Sequence, residues 1–129
     1  MKKHNNKKGS VIVLAYASCA ATMADNIAKD YEWLCAQAEG YDVKVDNQSD
    51  VWGQIALQGP EAEKYAVETL GLAKAAELSF YTYYREPQMV VSRTGYTGED
   101  GFELYGSHAF TIEMWDKLLA SGEVKPCGL

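Results

Sequence analysis

Arg93-Thr94-Gly95-Tyr96-Thr97-Gly98-Glu99-Asp100-Gly101-Phe102-Glu103-Leu104 is the stretch on which the reading of the fold turns. Gly95, Gly98 and Gly101 recur at every third position. Glycine accepts positive φ and lets a backbone approach closely, so three of them in so short a span specify a tight connector. The apolar run Met89-Val90-Val91 leads in, and the alternating run Phe102-Glu103-Leu104-Tyr105 leads out. Both read as strands, over residues 89–94 and 102–106.

Working outward, Glu86-Pro87-Gln88 reads as a turn, and the tyrosine-rich residues 78–85 as extended chain. Downstream, Ser107 is placed to cap a helix with the stripe Thr111, Met114, Trp115 and Leu118, stopped by Gly122. Upstream, residues 51–57 read as a strand. A helix opens near Pro60 with the stripe Ala62, Tyr65, Ala66, Thr69 and Leu70, ends at Gly71, and is followed by a connector over 72–77. Before these lies a helix capped by Asp25 or Asn26 and running to about Glu39, with the stripe Ile27, Tyr31, Leu34, Cys35 and Ala38. Residues 41–46 alternate as a strand, and residues 10–17 form a continuous apolar run, the pattern of a strand buried on both faces. The order β-α-β-β-α-β-β-β-α predicts an α+β fold. It is a ferredoxin-like split βαβ antiparallel sheet with helices on one face and an added hairpin. Residues 1–9 form a polar basic tail, and residues 10–129 a single domain.

Composition bounds the function. The chain has 129 residues, 47% of them apolar and 23% charged, which suits one globular domain. Its net charge of −6 argues against nucleic acid, whose phosphates need clustered cations. No run approaches the roughly 20 apolar residues of a membrane span. Lys-rich residues 2–8 followed by an apolar segment also fit a weak signal peptide, but the strand reading is preferred. Cys19, Cys35 and Cys127 are odd in number and widely spaced, so they suggest reduced thiols in the cytoplasm and no metal site. Trp33, Trp52 and Trp115 read as packing residues, and His108 as a surface residue.

The glycine connector lacks the lysine and spacing of a phosphate loop, and Glu99 and Asp100 would repel phosphate. Its groups suit a flat, donor-rich heterocycle instead. Tyr96 offers a stacking face, and Glu103 a carboxylate able to accept two parallel N–H bonds. From spacing alone, the simpler reading is a decorated hairpin whose glycines serve geometry.

Residues 92–105 as a whole resemble the signature of aminomethyltransferase, the T-protein of the glycine cleavage system. Ile55-Ala56-Leu57-Gln58-Gly59-Pro60-Glu61-Ala62, Asn26-Ile27-Ala28-Lys29-Asp30-Tyr31-Glu32-Trp33-Leu34 and Cys127-Gly128-Leu129 resemble further segments of that family, in family order. The resemblance implies a tetrahydrofolate-dependent transfer. An aminomethyl group on a lipoyl-carrying H-protein passes to tetrahydrofolate, and ammonia is released. It implies that Tyr96 contacts the folate, that Glu103 binds the pterin edge, and that Asn26 retains one asparagine of a family loop. In that loop Thr22-Met23-Ala24-Asp25-Asn26 stands for Val-Asn-Ala-small-Asn.

The family's catalytic aspartate, a folate-holding arginine and a jelly-roll domain have no counterpart in these residues. No catalytic residue is therefore assigned. The expectation is a folate-binding portion, incomplete for catalysis alone. The alternative is a non-catalytic folate-binding or self-associating module, a homo-oligomer formed through surfaces the missing parts would cover. Its candidate patch is Tyr81, Thr82, Tyr83 and Tyr84. The Lys-Gly-Cys motif of related iron–sulfur assembly proteins is absent from the sequence.

Overall fold

The computed structural model describes residues 26–127. The expected tail, the strand over 10–17 and the leader-like segment lie outside the described residues. The chain divides into two compact units, Met1–Asp50 and Val51–Leu129.

In the first unit, helix α1 spans Ile27–Ala38. Its half-buried positions include Ile27, Tyr31, Leu34, Cys35 and Ala38, the stripe that periodicity selects. Asn26 occupies the N-cap position, but its side chain does not bond there; its carbonyl accepts the Asp30 N–H at 2.8 Å. Gly40, at φ +83°, turns the chain out of the helix. Two expectations fail. Trp33 is exposed rather than packed. Residues 41–46 form no strand: Tyr41 and Val43 face solvent, and the segment enters no ladder among the described residues. Alternation supplies a face, but a strand also needs a neighbour to satisfy its backbone.

The second unit is an α+β arrangement. Four strands, β1 (Trp52–Gln58), β2 (Tyr83–Glu86), β3 (Met89–Ser92) and β4 (Gly101–Ser107), form an antiparallel sheet in the order β1-β4-β3-β2. The β2–β3 hairpin is the added element. Pairing sets Ile55 opposite Leu104, Leu57 opposite Phe102 and Val91 opposite Leu104, so these side chains share one face. That face forms the core with Ala62, Ala66, Leu70, Met114 and Leu118 from the helical segments.

Helix α2 begins as Ala62–Lys64 and continues as a π turn over Tyr65–Thr69, where a uniform α-helix is expected. The Leu70 N–H donates to Tyr65 O at 3.0 Å, and the Leu72 N–H reaches back to Ala66 O at 2.9 Å. The wider turn accompanies burial of both Leu70 and Leu72 on either side of the reversal. The expected connector is a 3-10 helix over Ala73–Glu77. Helix α3 (His108–Ala120) starts where Ser107 Oγ accepts the Phe110 N–H at 3.2 Å. Met114 and Leu118 are buried as expected; Trp115 is exposed, and Phe110 packs against the core in its stead.

The connector between β3 and β4, residues 93–100, closes around one side chain. Gln58, the last residue of β1, donates from Nε2 to Thr94 O at 3.1 Å and to Phe102 O at 3.2 Å. Its Oε1 accepts from Thr97 Oγ1 at 3.1 Å. The glycines make room for it. A Cβ on Gly95 would lie 2.0 Å from Gln58 Oε1, and one on Gly101 would lie 2.4 Å from Leu57 O. Gly98 has a different reason: it takes φ +83° with no atom near its missing Cβ.

This contrast orders the expected stabilities. Gly101→Ala pushes a methyl into the β1 backbone, which has no side-chain freedom with which to yield, and should cost about 3 kcal/mol. Gly98→Ala should cost about 1 kcal/mol, the penalty of a left-handed non-glycine residue. Urea unfolding of both variants measures the order, and equal costs would contradict the close-approach account.

Candidate functional site

The face of the sheet opposite the core carries the candidate site. Along β4, Phe102 and Leu104 enter the core, while Glu103 and Tyr105 take the other side. Along β1, Gln54, Ala56 and Gln58 share that other side, and Ser92 contributes from β3. Glu103 is paired with Ser92 on one flank and with Ala56 on the other.

Glu103 is only 7% exposed. A carboxylate so sheltered requires donors, and two side chains supply them. Gln54 Nε2 donates to Glu103 Oε1 at 2.8 Å, and the Thr94 hydroxyl donates to Glu103 Oε2 through a short contact. The Ser92 and Thr94 hydroxyls lie 2.8 Å apart. Thr94 has one hydroxyl hydrogen and gives it to Glu103, so Ser92 is the donor to Thr94. The resulting chain, Ser92 to Thr94 to Glu103, fixes the carboxylate from one side, and Gln54 fixes it from the other. Each carboxylate oxygen keeps capacity for a second N–H bond. Ala56, opposite Glu103, is small and exposed. The arrangement suits a flat edge bearing adjacent N–H donors.

The rear of the same loop is fixed by Arg93. Its Nε donates to Asp100 Oδ1 at 3.1 Å, and its Nη2 pairs with Asp100 Oδ2. Its Nη1 donates to Leu78 O at 3.1 Å and pairs with Glu63 Oε2 at 2.8 Å. The guanidinium lies 5.2 Å from the centre of the Phe102 ring. One cation thereby joins the two ends of the connector to α2 and to the chain before β2. Hydrogen bonding to Arg93 holds the Asp100 carboxyl below its ordinary value of 3.8, and Asp100 in turn raises the Arg93 guanidinium.

Of the three site residues read from sequence, Glu103 lies at the centre of this network. Tyr96 lies on the connector and is 64% exposed, two residues beyond Thr94. Asn26 belongs to the first unit, at the start of α1. Sequence reasoning passed over Gln54, Thr94 and Ser92 as partners of Glu103. The signal was present: Gln54 and Gln58 fall on the same face of an otherwise apolar strand. Among the described residues, no three of His, Cys, Asp and Glu stand as the ligands of a metal ion would.

The model of the GCVT N-terminal domain family matches residues 11–129. An aminomethyltransferase of Alkaliphilus metalliredigens is 43% identical over 114 residues, covering 82% of this chain and 31% of the relative. An aminomethyltransferase of Lysinibacillus sphaericus shows the same identity and coverage. One of Bacillus cytotoxicus is 44% identical over 114 residues. The chain thus spans 31% of the length of these curated relatives.

The Arg93–Asp100 pair predicts an acid limb of stability. Because the folded-state carboxyl titrates below 3.8, its contribution is fully present above that pH and is lost as the pH falls below it through the carboxyl's own lowered pKa. Asp100 is about half exposed, so solvent screening holds the contribution to about 1 kcal/mol or less. Asp100→Asn should lower stability at neutral pH and flatten its decline on acidification. Thermal melts of both proteins across that range test this; parallel curves would contradict it.

Proposed function

Because the chain belongs to the GCVT N-terminal domain family, we propose that it is a tetrahydrofolate-binding portion of an aminomethyltransferase. The observation that carries the reading is the sheltered Glu103 carboxylate, held by Gln54 and Thr94 beside the small Ala56. A pterin presents a ring N–H next to an exocyclic amine. That edge matches two parallel acceptors at one carboxylate. Tyr96, on the exposed connector, offers a ring for stacking. Asn26 is proposed as a further contact. The whole reaction would take an aminomethyl group from a lipoyl-carrying H-protein to tetrahydrofolate and release ammonia. Holding the folate nitrogen against the carbon it attacks is the contribution these residues suit. The groups around Glu103 are an amide and hydroxyls, which position and do not themselves exchange protons near neutral pH. We therefore read this portion as one that binds folate and does not complete catalysis alone, in a cytoplasmic setting. Among the described residues no helix is long and apolar enough to cross a membrane.

A second reading, a self-associating module, is favoured by one feature. Among the described residues β2 is an edge strand of the sheet, and Phe80, Tyr81 and Tyr83 beside or within it are each more than 60% exposed. Tyr84, from the same expected patch, turns instead toward the core.

Isothermal titration with 5-formyltetrahydrofolate tests the first reading. Wild type should give saturable binding, and Glu103→Gln should weaken it about tenfold or more, the value of hydrogen bonds to a charged acceptor. No saturable heat with wild type would remove the folate reading. For the second, sedimentation equilibrium should show association that Tyr83→Lys abolishes. A wild type monomeric across the concentration range would remove it.

A further inference from the structure

The amide of Gln54 has one half with a partner and one half without. Its nitrogen is fully engaged: Nε2 donates to Glu103 Oε1 at 2.8 Å and approaches the Tyr105 hydroxyl at 3.4 Å. Its oxygen, Oε1, is buried and has no hydrogen-bond partner. Buried acceptors are rarely left in this state, since each forfeits its hydration without replacement. The orphan does not vanish if the amide is turned over. The opposite orientation would set the carbonyl oxygen against the Glu103 carboxylate and strip that group of a donor. Glu103 therefore fixes which way the amide faces, and the unsatisfied oxygen follows from it.

We propose that Gln54 Oε1 is a third ligand acceptor beside the two oxygens of Glu103, and that it selects ligands whose edge carries an exocyclic amine. This rests on the folate reading above and specifies which part of the ligand is read. A ring N–H and one amine hydrogen satisfy Glu103. The second amine hydrogen has no acceptor in that pairing, and Gln54 Oε1 is an acceptor with no donor, on the same side chain that already touches Glu103. Gln54 as a residue is partly exposed while its Oε1 is buried, so a ligand edge reaches that oxygen through a shift of the side chain. No protein group among the described residues donates to this oxygen, so a donor that reaches it displaces no hydrogen bond within the protein. Such sites discriminate strongly against analogues lacking the donor.

The test compares two ligands on two proteins. One ligand is 5-formyltetrahydrofolate, and the other is its analogue with a methyl group in place of the 2-amino group. The proteins are the wild-type chain and Gln54→Met. Wild type should prefer the amine ligand by about tenfold or more. Gln54→Met should lose most of that preference, read as the ratio of the two affinities, whatever both ligands lose together through the missing Gln54–Glu103 bond. The preference is a ratio within one protein, so a partly unfolded variant still reports it, and Gln54→Leu repeats the measurement with a different shape. If both ligands weaken equally and the preference survives, Gln54 merely positions Glu103 and the proposal is overturned. If wild type binds neither ligand, the folate reading itself falls. If wild type binds both equally, the folate reading stands and the proposal alone fails.

Discussion

The Gln58 side chain, threaded through the glycine connector, is the constraint on which the second unit depends. It is the last residue of β1, yet it bonds to backbone on both sides of the loop between β3 and β4. The Gly59 N–H adds a bond to Asp100 O at 2.8 Å. Together these fix the end of β1 against the start of β4, and so fix the register that sets Gln58 opposite Gly101 and Ala56 opposite Glu103. Register in a two-faced sheet has a period of two. A slip of one residue would carry Glu103 into the apolar core and bring Phe102 out of it. The glycines therefore act through geometry first: Gly95 and Gly101 lack side chains because a glutamine amide and a strand backbone occupy that space.

Given that register, the polar face follows from local chemistry. A carboxylate sheltered to the degree of Glu103 is tolerated because Thr94 and Gln54 reach it from two strands' worth of separation in space and from distant positions in sequence. Ser92 and Thr94 alternate with Arg93, so successive residues leaving β3 serve opposite faces. The hydroxyls orient the acceptor on one side. The guanidinium ties the loop to α2 and covers Phe102 on the other. The acids Glu99 and Asp100 divide the same way: Asp100 belongs to the Arg93 staple, while Glu99 stays exposed.

Much of this was legible in the residues. The strands around the connector, the Ser107 cap, the stripe of α1 and the hairpin at Pro87 follow from periodicity and turn chemistry, which act over a few residues. Glu103 was legible as an acceptor because it alternates with apolar neighbours in a strand. What was not legible depends on distant partners. Residues 41–46 alternate as well as β1 does, but sequence does not say which alternating segment finds a ladder. Trp115 and Phe110 both suit the face of α3, and only packing against β4 decides between them. The partners of Glu103 come from β1 and from the residues just past β3, and no local pattern joins them. The π turn at Tyr65–Thr69 has no sequence signature here; it goes with burying leucines on both sides of Gly71.

The core with its Arg93 staple and the polar network around Glu103 therefore sit on opposite faces of a single layer of strands, joined through the backbone between them. Changes at Arg93, Phe102 or Leu104 alter how firmly the layer is held. Changes at Gln54, Thr94 or Glu103 alter the polar network on the other face. Ala56 is where the two demands separate most clearly. It is exposed, so the core places no limit on its size. It is also the direct cross-strand neighbour of Glu103, so a larger side chain there would cover the carboxylate without disturbing the fold. On the folate reading proposed above, a small residue at this exposed position gives a ligand edge room beside Glu103.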